Sequence, residues 1–174
     1  YEEAIEQYQK AIKIKREIGD KKSQGLNLGN IGSMYQNQGQ YEKAIEQYEE
    51  AIKIAIEIGD KFGEGINFGN MGDSFYKLNR LNEAKELFQK AINICEVVLP
   101  VAAGVFMGGI SLIFAKEKNF KEAFELLEKG EQQVKNDREE YGNFLCKKGE
   151  VFLLNVQREQ AIKSLEQAQK IADE

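Results

Sequence analysis

The sequence contains no histidine and no tryptophan, one proline and two cysteines. Without histidine, the chain lacks the residue used by the usual catalytic triads, by most general bases and by most metal sites. Cys95 and Cys146 lie far apart and form no C-x-x-C pair, so neither a zinc site nor a disulfide framework is indicated. We therefore predict no catalytic residue, no metal site and no cofactor, and we expect reduced thiols packed as small core residues in a cytoplasmic protein.

The chain also lacks an excess of positive charge. It has 24 basic and 29 acidic residues, a net charge of −5, and no basic run, so we expect no nucleic-acid partner. Hydrophobic residues make up 42% and charged residues 30%, which is typical of a folded domain rather than a disordered one. The single proline and the absence of a Gly/Ser-rich linker favour continuous helical structure.

The dominant feature that is present is an internal repeat. Residues 1–40 and 41–80 align without a gap, and further copies open near 81, 120 and 158. Within each copy, apolar residues recur at three- and four-residue spacing in two successive segments, which predicts a pair of amphipathic helices. The pattern predicts about nine helices, at 1–18, 21–37, 41–58, 61–78, 82–97, 101–117, 120–134, 138–155 and 158–172.

The residues between these segments are suited to ending helices. Gly19 and Gly59 directly follow the last periodic residue and suit the left-handed conformation of a C-terminal cap. Asp20 and Asp60 come next and can cap the N-terminus of the following helix. Gly39 marks a tight turn between the two helices on either side of it.

Two residue patterns recur in these helix pairs. In the first full copy, helix A carries Leu28, Ile31, Gly32 and Tyr35, and helix B carries Tyr41, Ala44, Tyr48 and Ala51. These patterns resemble the tetratricopeptide repeat family, and the 40-residue period is similar to kinesin light chain, the Pins-type G-protein signalling modulators and bacterial multidomain regulators. The resemblance implies an all-α, right-handed superhelical solenoid of antiparallel helix pairs, with residues 1–174 as a single array. Ser111 and Gly130 depart from the family pattern.

The repeat starts at a helix B whose helix A is missing. We therefore expect the sequence to be a fragment of a longer protein. An apolar face on residues 1–18 would be uncovered, so end-to-end association of two copies is a possible interaction.

One segment has an alternative interpretation. The run 97–115 contains no charged residue and has Gly104 and Gly108 at G-x-x-x-G spacing, as in a membrane span. However, Pro100 interrupts the run, and the repeat places a helix A at about 102–116, which is sandwiched between its neighbours. We therefore predict a buried repeat helix and no membrane partner.

Asparagine in the middle of helices A points to a binding role, because it is a poor helix former. Asn27 and Asn30 recur in the same phase as Asn67 and Asn70. In the family, helices A line a concave groove, which implies a peptide-binding set, and glycines 29, 69 and 108 would leave room for the peptide. The set is Leu26, Asn30, Ser33, Asn37, Ile66, Asn70, Asp73, Lys77, Val105, Leu112 and Lys116. Alternatively, the asparagines bond between adjacent repeats, which we favour for Asn27 and Asn67.

The resemblance implies a protein–protein interaction module that holds a partner peptide or protein segment in the concave groove. The cation clamp of chaperone-binding members is absent, because the matching positions are Gly29, Ser33, Gly69 and Asp73. Two alternatives stay open: an intramolecular regulatory or sensor arm of a multidomain signalling protein, and a structural scaffold spacer in a larger assembly. An enzyme is not expected.

Overall fold

The computed structural model describes residues 1–173 and contains only helices within them. There are nine: α1 (Glu2–Glu17), α2 (Lys21–Asn37), α3 (Tyr41–Ile58), α4 (Lys61–Lys77), α5 (Leu81–Val98), α6 (Pro100–Lys116), α7 (Phe120–Val134), α8 (Arg138–Leu154) and α9 (Arg158–Asp173). This confirms the all-α class and the number of helices predicted from the repeat. The chain divides into two compact units, unit 1 (Tyr1–Ile94) and unit 2 (Cys95–Glu174).

Side-chain caps start several of the helices A. Asp20 accepts a hydrogen bond from the Ser23 backbone N–H at 3.1 Å, and Asp60 accepts one from Gly63 at 3.0 Å, so both predicted N-caps are confirmed. The hydrogen bonds from Ser23, aided by Lys15, lower the pKa of Asp20 to about 2. Gly59 ends α3 with a left-handed φ of 71°, as its C-terminal cap requires.

The turn between helices A and B uses the left-handed conformation in every copy. Gly39 adopts it with a φ of 72°, which glycine tolerates at no steric cost. In later copies the same turn is made by Asn79, Lys118 and Val156, with φ values of 58°, 61° and 60°. A β-branched residue is strained in this conformation, so Val156 is the least favourable of the series.

In unit 1 the large residues of helix B pack against the small residues of helix A. A Cβ placed on Gly32 would lie 2.6 Å from Tyr48 Cε1, and one on Gly72 would lie 3.1 Å from Phe88 Cδ1. Tyr48 is fully buried, and its hydroxyl donates to Gln36 Oε1 at 2.8 Å and lies 3.2 Å from Ser33 Oγ. The helix pairs therefore pack as the repeat pattern predicts.

Unit 2 contains the uncharged segment, which forms α6 and is buried along most of its length. None of the helices in residues 1–173 is long and apolar enough to span a bilayer. The backbones of α6 and α7 touch, because a Cβ on Gly104 would lie 2.7 Å from the Gly130 carbonyl oxygen. Ser111 fits the buried helix by donating to the Gly108 carbonyl at 2.7 Å.

The two cysteines differ in burial. Cys95 is fully buried, and burial raises the pKa of its thiol to about 11, so it behaves as a small core residue. Cys146 is exposed, so the prediction that it belongs to the core was wrong. It lines a cavity between α8 and α9.

Candidate functional site

Unit 1 contains an open cavity between α2, α3 and α4, which we call the α2–α4 groove. Its volume is about 490 Å³. It is lined by Lys22, Ser23, Gly25, Leu26, Gly29, Asn30 and Ser33 of α2, by Ala51, Ile54, Ala55 and Ile58 of α3, by the cap residue Asp60, and by Phe62, Gly63, Ile66, Asn67 and Asn70 of α4. Five of the predicted site residues are among them: Leu26, Asn30, Ser33, Ile66 and Asn70.

Two carboxamides provide the main polar groups of the groove. Asn30 and Asn70 occupy the same position in successive helices A, and both side chains are half-buried. Neither amide has a hydrogen-bond partner among the residues that the structure describes, and neither is sealed from solvent. Because each carboxamide has two donors and an acceptor, the pair can bond a peptide backbone in both directions.

The rest of the groove is mainly apolar. Leu26 of α2 is 64% exposed and Phe62 of α4 is 52% exposed, although both are large hydrophobic residues. Ile58, at the end of α3, is also exposed, and Ile66, which lines the same groove, is half-buried. Exposed apolar groups gathered in a concavity are typical of an interaction site.

Few charges line the groove. Lys22 and Asp60 are its ionisable groups, and Asp60 already accepts the hydrogen bond from Gly63 that caps α4. The nearby Lys21 pairs with Glu57 across α2 and α3. The surface that would contact a ligand is therefore close to neutral.

The remaining predicted residues of unit 1 lie outside the lining. Asn37 and Lys77 are exposed at the last turns of α2 and α4. Asp73 is half-buried, and its charge contributes, after burial itself, to raising the pKa of Tyr48 to about 12. Ser33 lines the groove, but its hydroxyl also contacts Tyr48, so it links the groove to the core.

The predicted residues of unit 2 are less available. Leu112 is only 4% exposed, so its side chain does not form an open surface, contrary to the expected role. Val105 is half-buried, and its carbonyl accepts a hydrogen bond from Lys147 Nζ at 3.3 Å. Lys116 is exposed at the end of α6. None of the three lines the α2–α4 groove.

Asn67 and the glycines act in packing. The Asn67 amide donates to the Gly63 carbonyl of its own helix at 2.7 Å, so its hydrogen bond does not join two repeats as expected. Its oxygen packs against Gly29 instead, since a Cβ on Gly29 would lie only 2.8 Å from Asn67 Oδ1. Gly108 similarly makes room for Phe144, at 3.0 Å, rather than for a peptide.

Sequence reasoning missed Phe62 and Ile58. Phe62 lies in the first turn of α4, and Ile58 lies in the last turn of α3. The only hint in the sequence was that both are large apolar residues that do not belong to the periodic apolar face of their helix. No group of His, Cys, Asp and Glu within residues 1–173 is placed to hold a metal ion. The arrangement offers hydrogen bonds and apolar surface for binding.

Comparison with known proteins gives a family match. The tetratricopeptide repeat model matches residues 1–54 and 23–96. Among curated proteins, none matches this sequence.

Several solved structures are similar in fold. BtubC (BKLC) from P. vanneervenii is 17% identical, with a TM-score of 0.75 over 95% of this chain and 70% of that chain. A Podosopora anserina putative kinesin light chain with nearly identical TPR-like repeats is 21% identical, with a TM-score of 0.67 over 98% and 86%. The apo form of RapI is 14% identical, with a TM-score of 0.73 over 97% and 76%. These likenesses show the helical-repeat fold.

Proposed function

Because this chain belongs to the tetratricopeptide repeat family, which supports a protein–protein interaction module, we propose that its α2–α4 groove binds an extended segment of a partner protein. The observation that carries this proposal is the pair of carboxamides without a protein partner, Asn30 and Asn70, at equivalent positions in one groove. Because neither amide is sealed from solvent, both stay available to a ligand. A peptide backbone supplies both the donor and the acceptor that such amides need.

The apolar lining favours particular side chains in the bound segment. Leu26, Phe62 and Ile58 present apolar surface around the two amides. Burying this surface against aliphatic or aromatic side chains contributes about 25 cal/mol per Å² removed from water. The sparse charge favours an uncharged segment, since a carboxylate would find only Lys22 and a cation only Asp60, which is engaged in capping.

The role is that of a non-enzymatic, cytoplasmic adaptor. The buried Cys95 has a pKa raised to about 11, so it is a weak nucleophile. Within unit 1, Asn37, Asp73 and Lys77 stay proposed as further contacts for a longer partner segment, and Val105 and Lys116 stay proposed as peptide contacts of unit 2 taken by itself. They are secondary to the groove, because they lie outside its lining.

Peptide selection tests the proposal directly. A displayed library of random peptides is selected on the purified chain, and the affinity of the enriched peptide is measured by fluorescence anisotropy. The variant Asn30→Ala/Asn70→Ala removes two hydrogen bonds worth about 1 kcal/mol each, so we expect the Kd to rise roughly thirtyfold. Circular dichroism should show an unchanged fold, since neither amide bonds the protein.

The matched control is Asn27→Ala/Asn82→Ala, which removes two asparagines outside the groove. It should bind the peptide as the wild type does. Equal affinity of all three proteins would refute a groove site and move binding to another surface. Failure to enrich any peptide would also contradict the proposal and would favour the spacer role.

A further inference from the structure

The least exposed polar side chain of the α2–α4 groove is that of Asn67. It lines the cavity but is only 7% exposed, whereas Asn30 and Asn70 are half-buried. Its amide nitrogen donates to the Gly63 carbonyl, but its Oδ1 accepts no hydrogen bond from any of residues 1–173. This oxygen is not sealed from solvent. The groove therefore contains, at its most buried polar position, an acceptor without a donor.

Small residues keep this oxygen accessible. Gly29 of α2 lies beside it, and a Cβ on that glycine would lie 2.8 Å from Oδ1 and crowd it. Gly63, one turn earlier on α4, also lacks a side chain, and Ala51 and Ala55 of α3 line the same cavity. A group that enters the groove can therefore approach the Asn67 oxygen.

The packing of the repeat does not require a polar residue at this position. The residue of α8 that corresponds to Asn67 is Phe144, and the residue of α6 is Phe106. In unit 2, Phe144 packs against Gly108 as Asn67 packs against Gly29, and Phe144 is fully buried. An apolar ring thus fills the same space. Because burying an amide oxygen without a donor costs free energy, the asparagine in α4 indicates a role in binding.

The rest of the cavity indicates what kind of group would reach this oxygen. Leu26 and Phe62 are large apolar residues that are far more exposed than Asn67, and Ile54 and Ile66 line the cavity as half-buried residues. An entering side chain therefore contacts apolar surface before it reaches Oδ1. The cavity volume of about 490 Å³ is large enough for an aromatic side chain.

A matching side chain needs an apolar body and one hydrogen-bond donor at its far end. Lysine would carry a charge into a nearly neutral cavity, which is costly. Glutamine and asparagine have too little apolar surface to cover the groove walls. In tryptophan the N–H lies on the side of the ring system. Tyrosine has its hydroxyl at the end of the long axis of the ring, and a buried tyrosine hydroxyl usually finds a partner.

We propose that the α2–α4 groove selects a partner segment by one tyrosine, whose hydroxyl donates a hydrogen bond to Asn67 Oδ1 while its ring packs against Leu26 and Phe62. This inference rests on the proposed function, in which Asn30 and Asn70 bond the backbone of the same segment. Phenylalanine would cover the same apolar surface but would leave the Asn67 oxygen buried without a donor. A site built around such a bond discriminates against the ligand that lacks it.

Two peptide libraries test the role of Asn67. One has tyrosine and the other phenylalanine at the centre of an otherwise random sequence, and both are displayed and selected on the full chain. The enriched tyrosine peptide and its phenylalanine derivative are then titrated by fluorescence anisotropy. We expect the phenylalanine derivative to bind the wild type about tenfold more weakly.

Variants of the chain assign this preference to one atom. Asn67→Leu removes the acceptor and keeps the size of the side chain, so the two peptides should bind within about twofold of each other. Asn67→Ala should have the same effect without adding bulk beside Gly29. The ratio of the two affinities on one protein is independent of the fraction of folded chain. The matched control is Asn27→Leu, at the corresponding position of α2 outside the groove lining, which should retain the tenfold preference.

The possible failures are distinguishable. Peptides that depend on Asn30 and Asn70 but bind equally well with tyrosine or phenylalanine would overturn the role of Asn67 and leave the groove as the binding site. A tenfold preference that persists in both Asn67 variants would overturn it as well. Binding that does not depend on Asn30 and Asn70, or no enrichment from either library, would contradict the proposed function together with this inference.

Discussion

Replacing Gly32 with alanine tests the closest contact between helices A and B in unit 1. The new Cβ would lie 2.6, 2.8 and 2.9 Å from three ring atoms of Tyr48. The ring cannot move away easily, because Tyr48 is fully buried and its hydroxyl is bonded to Gln36. Overpacking of this kind costs about 1–3 kcal/mol, and the constrained ring places Gly32→Ala near the upper end of that range.

A second effect opposes this cost. Alanine is more favourable than glycine inside a helix by about 1 kcal/mol. The net expectation for Gly32→Ala is therefore a loss of about 2 kcal/mol in the free energy of unfolding. A larger side chain, as in Gly32→Leu, extends further into the ring and should cost more.

Gly149→Ala is the matched control. Its Cβ would lie 3.0 Å from Leu165 Cδ2, but Leu165 is flexible and partly exposed, so it can move aside. We expect this variant to be neutral or more stable by up to about 1 kcal/mol. Denaturant unfolding followed by circular dichroism measures both variants. If Gly32→Ala were as stable as Gly149→Ala, the assignment of the Gly32–Tyr48 contact as a tight packing point would be refuted.

Three further perturbations have expected outcomes. The pKa of Tyr48 is raised by burial from 10.0 to about 12, so the stability of the wild type should fall between about pH 10 and 12. Tyr48→Phe should remove this part of the loss, and an unchanged dependence of stability on pH would contradict the prediction. The pKa of Asp20 is lowered from 3.8 to about 2 by its capping bonds, so Asp20→Ala should lower the melting temperature and reduce the loss of stability that the wild type shows as the pH falls through that range. A loss of the same size in the variant would contradict this. Val156→Gly should stabilise the chain by up to about 1 kcal/mol in thermal unfolding, because a valine with a φ of 60° is strained. Asn79→Gly should stabilise it less, since asparagine tolerates a positive φ. Equal stabilisation by the two variants would show that the valine is not strained.

The helices and their ends follow from the sequence because each rests on local chemistry. The backbone N–H groups three residues after Asp20 and Asp60 have no acceptor within their own helix, and each aspartate accepts the hydrogen bond from one of them. These caps fix where the helices start. Asn30 and Asn70 were expected in the groove because the family resemblance assigns their positions on helices A to it, and both residues line the cavity. These features can be predicted because the contacting residues are close in sequence, or because the same residues recur with the 40-residue repeat.

The remaining features depend on contacts between elements. Phe62 and Ile58 join the groove only because the end of α3 and the start of α4 meet there. Leu112 was assigned to an open surface from its family position alone, and α6, which is apolar all round, offers no polar face that could have corrected this orientation. Cys146 was assigned to the core from its position in an amphipathic helix, but its side chain is exposed in a cavity between α8 and α9.

The direct backbone contact of α6 and α7 has a mechanical consequence. At Gly104 and Gly130 no side chain lies between the two helices, and each glycine would place a Cβ within 3.0 Å of the other's carbonyl oxygen, at 2.7 and 2.9 Å. Side-chain rotations, which normally let packed helices slide, cannot absorb a displacement at this point. Under a pulling force the pair should therefore move as one stiff unit, without sliding of α6 along α7 at the two glycines.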